Sequence, residues 1–242
     1  LSTLNKLGNE TWMNLGDFDL GLHVYRSEKL SMGMSLSEIT DDISKKFGLV
    51  QTLILPTNDR IQTKILTPKG WLSFQEYFVR EKCIPKVNEI KFSGIENAKA
   101  NSKALSSLIN SEIILIAPSN PLVSIAPIIE VKNVLNTIHS SKAVKVAISP
   151  IIDGDVIKGP AKDMMVSLGM RHDVVGIAKY YSEFLDIFII DNKDKKYIDE
   201  IESLGIKVFC SDIFMNTKIK KNNLAKNIIK IFKDFNKGKN YA

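Results

Sequence analysis

The sequence predicts an α/β fold: a doubly wound, mostly parallel sheet with a helical insertion near the N-terminus. Three observations carry this. From residue 101 onward, short apolar runs alternate with segments of helical periodicity, the rhythm of repeated βαβ units. The runs Glu112–Ala117, Val144–Ser149, Ile187–Ile190 and Ile206–Phe209 are largely apolar throughout rather than alternating, as strands buried on both faces are. Residues 1–50 carry helical signals instead.

In chain order, Asp19–Leu30 is predicted as a helix from Leu20, Val24 and Leu30. Ser35-Leu-Ser-Glu38 is a capping box, Ile39, Ile43 and Phe47 fall on one face of the helix it opens, and Gly48 supplies its C-terminal stop. Strands follow at Thr52–Leu55 and Ile61–Thr67, with a turn at Pro68-Lys-Gly70. Phe74–Lys82 reads as a short helix and Lys86–Phe92 as extended chain. Helices at Lys103–Ile109, Val131–His139, Ala161–Leu168, Gly176–Phe184, Lys195–Leu204 and Asn222–Phe235 fill the intervals between and after the four buried strands. The expectation is one α/β domain over residues 1–242, with a helical part at 1–50 and an alternating β/α part at 101–242.

Composition excludes several classes. With 44% apolar and 25% charged residues, the 242-residue chain is neither collagen, disordered tail nor coiled coil. Cys83 and Cys210 are too few for a disulfide framework and suit a reducing, cytoplasmic setting. The most apolar stretch, Ser111–Val131, is broken by Pro118, Asn120, Pro121 and Pro127, so no membrane span is expected. The start lacks the order of a secretory signal. It also lacks an initiating Met and reads as mid-helix, so the chain is expected to be a fragment. The net charge of +6 gathers between Lys218 and Lys239, which reads as a solvated helix rather than a nucleic-acid surface.

Ligands of open parallel sheets bind beyond the carboxyl ends of the strands. Those ends carry Ala117-Pro-Ser-Asn-Pro121, Ser149-Pro-Ile-Ile-Asp-Gly154, Asp191-Asn192 and Ser211-Asp212. In the first, Ser119 and Asn120 stand between two prolines and can present hydroxyl, amide and backbone N–H groups to a phosphate. In the second, Lys158 and Gly159 precede Pro160 at an expected first helical position, where a cation and backbone N–H groups meet; the competing reading is a hairpin at Asp153-Gly154 with a solvated lysine. Two further constellations lie outside the strand ends. Leu15-Gly-Asp-Phe-Asp-Leu20, followed by His23 and Arg26, sets Asp17 and Asp19 where they either cap a helix or hold Mg²⁺ or sugar hydroxyls. Phe74-Gln-Glu-Tyr-Phe-Val-Arg80 either clamps a phosphate or planar ring, or buries its aromatics and pairs Arg80 with Glu76.

No GxxxxGK[ST], GxGxxG or GxSxG pattern occurs, and His23, His139 and His172 are too dispersed for a zinc site. Carboxylates and phosphate clamps remain, which suits phosphoryl-group transfer by positioning.

Taken together, these segments resemble the 2-phospho-L-lactate transferase family. The shared text is Leu15-Gly-Asp…Asp-Leu20, Phe74-Gln-Glu-Tyr-Phe-Val-Arg80, Ala117-Pro-Ser-Asn-Pro121 with Ser124-Ile125, Ser149-Pro-Ile151, and Lys158-Gly-Pro-Ala161 with Met164. The resemblance implies a Rossmann-like fold. It also implies a reaction: a phospholactyl or related group moves from a guanosine-diphosphate-linked donor to a hydroxyl of the deazaflavin Fo, GMP leaves, and Mg²⁺ assists. It implies catalytic roles for Asp17, Asp19 and Lys158. Substrate contacts are implied at His23, Arg80, Ser119, Asn120, Pro121, Ser124, Ser149 and Gly159. A homodimer is implied as well. Phe18 stands where the family usually has Arg, and the family's opening Gly-rich strand-loop segment, expected to carry the main Mg²⁺ ligands, is not in these residues; Asp17 is the metal candidate left. Gluconeogenesis-factor-like regulators share the fold but are expected to lack the Phe-Gln-Glu-Tyr-Phe-Val and Ala-Pro-Ser-Asn-Pro text, so the transferase reading is preferred.

Overall fold

The computed structural model describes residues 2–156 and 159–239. It begins with three helices, α1 (Ser2–Lys6), α2 (Asp17–Ser31) and α3 (Leu36–Lys46). The start of α3 follows from its sequence: the Ser35 hydroxyl accepts the Glu38 N–H, and the Glu38 carboxylate accepts the Ser35 N–H at 2.8 Å. Gly48 leaves α3 at φ +65°, a left-handed conformation that costs glycine nothing sterically.

An antiparallel sheet in the order β2-β1-β3 follows, built from β1 (Gln62–Thr67), β2 (Gly70–Ser73) and β3 (Glu89–Ser93). Residues 52–55, expected as a strand, are irregular. Pro56 has no N–H for a ladder, and the segment joins the fold through an isolated Thr57–Ala100 bridge and the Asn101 N–H on the Pro56 carbonyl at 2.8 Å. Between β2 and β3, Glu76–Arg80 forms a wide π-type turn.

The remainder alternates. It runs α4 (Ser102–Asn110), β4 (Ile113–Ile116), α5 (Ala126–Ile129), α6 (Val134–Ser140), β5 (Val144–Ile148), the hairpin β6 (Ile151–Ile152) and β7 (Asp155–Val156), α7 (Ala161–Ser167), α8 (Val174–Tyr181), β8 (Ile187–Asp191), α9 (Ile198–Glu202), β9 (Lys207–Ser211) and α10 (Lys218–Lys239). Strands β4, β5, β8 and β9 pair in that order, all parallel. On one face Ile116, Ala147, Phe188 and Ile190 pack with Met164 and Met165 of α7 and Ile177 of α8, and Ile65 and Leu72 of the small sheet join the same core. On the other, Val146, Ile148, Ile187 and Ile189 pack against Leu224, Ile228 and Ile231 of α10. With both faces covered, burying each large side chain yields about 1.5–3 kcal/mol. This is the doubly wound arrangement the apolar runs predict. Because the strands are parallel, the loops after them emerge at one edge.

Candidate active site

Loops leaving β4, β5 and β9 enclose a cleft of about 630 Å³. Ser119, Asn120 and Ser124 come from the β4 loop, Ser149 from the end of β5, Val156 and Gly159–Ala161 from the chain after it, and Ile213–Asn216 from the end of β9. Phe74 and Phe78 close the remaining side.

In the β4 loop, the Asn120 Oδ1 accepts the Leu122 N–H at 2.9 Å and so caps the wide turn Pro121–Ile125. Its Nδ2 has the Met164 sulfur at 3.6 Å, a weak acceptor, which leaves donor capacity for a ligand. The Ser119 N–H folds back onto the Ala117 carbonyl at 2.7 Å. Pro121 is buried and does not line the cleft; it shapes the loop from behind.

Ser149 is almost fully buried. Its hydroxyl donates to the Ile151 carbonyl at 2.9 Å and accepts the Ile151 N–H at 3.0 Å, so its proton is committed to folding the loop. The Asp153-Gly154 turn beyond it takes φ +55° and +77°, the pair of left-handed residues that a two-residue hairpin of this kind requires. The hairpin is therefore present. Pro160 is the residue capping α7, one position earlier than expected. Lys158 lies outside the described residues. Its neighbour Gly159 takes φ +91° at the cleft wall, a conformation favouring glycine.

The aromatic segment divides its labour. Tyr77 is buried, and that burial pushes its hydroxyl up to about 12. Phe74 and Phe78 instead stack in parallel at 5.6 Å on the cleft wall, and Phe78 remains 39% exposed. Of the two readings of this segment, burial of all three rings does not hold, while the Arg80–Glu76 pair that went with it does. Arg80 turns away from this wall. Its guanidinium holds the Glu76 carboxylate at 2.9 Å and lies over the Trp12 ring at 5.5 Å.

Asp17, Asp19 and His23 are exposed on α2 and lie outside the cleft lining. Gly16 rather than Asp17 caps the helix, and Asp17 borders a separate hollow of about 370 Å³ with Phe18, Tyr25 and Phe47.

A further hollow of about 640 Å³ adjoins the cleft through the shared residues Val156 and Phe214 and carries Asp191, Asp212, Lys193 and Lys220. The buried Asp191 carboxylate accepts the N–H groups of Lys193 at 3.0 Å and Ile213 at 3.3 Å. Asp212 accepts the Phe214 N–H at 3.1 Å and pairs with Lys220 at 2.9 Å, and that lysine foremost holds its carboxyl below the usual range. Mg²⁺ in transferases is commonly held by one or two carboxylates with substrate phosphates and water. Here the carboxylates at the strand ends already cap turns or pair with lysine, and no three His, Cys, Asp or Glu side chains converge among the described residues. These residues do not fit a resident Mg²⁺, and no step is assigned to one. Burial pushes the thiols of Cys83 and Cys210 up, so neither presents a thiolate at neutral pH.

The Ile213–Asn216 wall escaped the sequence reading. Its signal was available, since these residues directly follow Ser211-Asp212 at a strand's carboxyl end.

Polar loops at the carboxyl ends of parallel strands, facing an aromatic wall, make a candidate binding cleft on a Rossmann-like sheet. The chain belongs to the 2-phospho-L-lactate transferase CofD family, whose model matches residues 4–229. It is 32% identical to the 2-phospho-L-lactate transferase of Methanococcoides burtonii over 95% of this chain and 74% of that protein. It is equally 32% identical to that of Methanocaldococcus jannaschii, over 93% and 72%. Among solved structures, a UPF0052-family protein from Bacillus halodurans superimposes with TM-score 0.54 at 18% identity, which shows the shared fold alone. That match covers 80% of this chain and 65% of the other. No helix among the described residues is long and apolar enough to cross a membrane.

Proposed function

We propose that this chain transfers a phospholactyl-type group from a guanosine-diphosphate-linked donor to a primary hydroxyl of the deazaflavin Fo, in coenzyme F-420 biosynthesis. The observation that carries the reading is the coincidence of the Ser119-Asn120 loop, Gly159 and the Phe74/Phe78 pair around one cleft. Ser119 and the Asn120 amide donate to the diphosphate, and the ring pair takes the planar deazaflavin by stacking. The acceptor oxygen attacks the phosphorus nearer the lactyl group. The bond from that phosphorus to the bridging oxygen breaks, GMP departs, and the hydroxyl proton is lost to a base. Charge that builds on the non-bridging oxygens is met by loop N–H groups; Lys158, the cation the sequence offers for this role, lies outside the described residues.

A homodimer and a cytoplasmic setting belong to this reading as the family resemblance implies them; the resemblance implies Mg²⁺ too, but the described residues do not fit it. Asp17, Asp19, His23 and Arg80 stand outside the cleft lining and receive no step here. The test is release of GMP when the full chain meets the guanosine-linked donor and Fo together. Release that requires Fo is the expected result; no release, or release independent of Fo, contradicts it.

A further inference from the structure

The hairpin β6–β7 forms the part of the cleft wall that carries Val156, and Val156 faces both the cleft and the adjoining hollow. A two-stranded ribbon of two residues per strand has little stability of its own, so what fixes it matters. Its root is held by the Ser149 hydroxyl bonded to both backbone groups of Ile151. Its outgoing strand pairs Asp155 with Lys162 of α7 at the surface. Its tip is held from a different strand. Asp194, in the tight turn Asn192–Tyr197 that follows β8, accepts the Asp153 N–H through Oδ2 at 3.1 Å.

Asp194 is 1% exposed, and its Oδ1 is buried without a hydrogen-bond partner. A carboxyl placed so is costly unless the bond it does make is needed. That bond falls on Asp153, a non-glycine residue at φ +55° in the tightest part of the ribbon. A surface ion pair at the same tip, Lys193 to Asp153 at 3.7 Å, is solvent-exposed and holds weakly by comparison.

We propose that Asp194 is a positioning residue, a latch that ties the β6–β7 hairpin to the end of β8 and thereby fixes one wall of the substrate cleft. It touches no substrate. It acts through the Asp153 amide on the hairpin and on Val156 in the cleft wall. The consequence for substrate binding rests on the transferase reading above; the latch itself rests on the hydrogen bond and the burial.

The experiment uses the full chain, with GDP as the probe. In the parental protein the Asp153 amide resists hydrogen exchange although the turn is exposed to water. An Asp153 amide that exchanges as fast as that of Gly154 overturns the latch without any variant being made. Asp194→Ala abolishes that protection and weakens GDP binding by about tenfold, a loss of one buried hydrogen bond's order. Asp194→Asn keeps an acceptor oxygen and restores both. If Asp194→Ala lowers only the thermal midpoint, with GDP affinity of the folded protein unchanged and the Asp153 amide still protected, the residue is merely structural and the proposal falls. Loss of Asp153 protection in Asp194→Ala upholds the latch even in a chain that binds no GDP, a result that counts against the transferase reading alone.

Discussion

The carboxyl-terminal sheet and the amino-terminal helices use their apolar residues in opposite ways. In β8, Ile187, Phe188, Ile189 and Ile190 are all fully buried, two on each face, between α7–α8 and α10. In α2 no residue is buried, and Phe18, Leu20 and Val24 are 64%, 50% and 63% exposed. Phe18 finds one ring, Phe47 just past the end of α3, at 5.4 Å. The apolar run that marks β8 and the helical spacing that marks α2 both place their elements, but spacing fixes only which side chains share a face. Whether that face is covered depends on what the rest of the fold brings to it. The sheet region is thus held by tertiary packing and the α2 region by local bonding, and mutations should separate the two.

The largest expected effect is Phe188→Ala, which removes a fully buried ring from the sheet and should cost about 3–5 kcal/mol in urea unfolding. Gly176→Ala comes next. A Cβ there would lie 1.8 Å from the Arg171 carbonyl oxygen, so backbone must shift, at about 1–3 kcal/mol or more. Ser35→Ala removes the capping box of α3 and should cost about 1 kcal/mol, because local bonding matters most where packing is thin. The smallest is Val24→Ala on α2, expected within about 0.5 kcal/mol. A Val24→Ala loss as large as that of Phe188→Ala would erase the contrast.

Two acidic groups, one just past β8 of the parallel sheet and one beside the small antiparallel sheet, differ in sign. Burial pushes the Asp194 carboxyl above its ordinary range, so the folded state holds that proton more tightly than the unfolded chain does. Its contribution to stability is present while it is protonated and falls as pH rises from the ordinary carboxylate range through its raised value. The urea midpoint of Asp194→Asn should therefore lose less than the parental midpoint over that window. Glu76 behaves oppositely. The Ser73 N–H, foremost, holds its carboxyl low, so its contribution is present above the ordinary range and is lost as pH falls through the lowered value.

Local signals were legible wherever backbone chemistry is settled by neighbours in sequence. The capping box at Ser35, the Asp153-Gly154 turn and the four parallel strands all stand where the residues place them, though at the sheet edges β4 leaves Leu115 and β9 leaves Lys207 exposed. The edge of the sheet that carries the cleft was legible too, since parallel strands send their loops to one side. The Arg80–Glu76 pair, four residues apart, was one of the two readings its segment allowed, and the Ser149 hydroxyl is likewise consumed locally, by Ile151. What could not be read depends on distant partners: Phe78 is left bare to form a wall facing the loops after β4, β5 and β9. The helix predicted over Lys195–Leu204 divides into a tight turn, opened by the Asp191 cap on the Lys193 N–H, and the short α9.

The central claim is that substrate binds where the loops after β4 and β5 face the aromatic wall, and not on the open helices. Hydrogen exchange of the full chain, with and without saturating GDP, tests it directly. The account predicts new protection in residues 117–125 and 149–161 and none on α2. Protection confined to α2, or none in either loop, would contradict it.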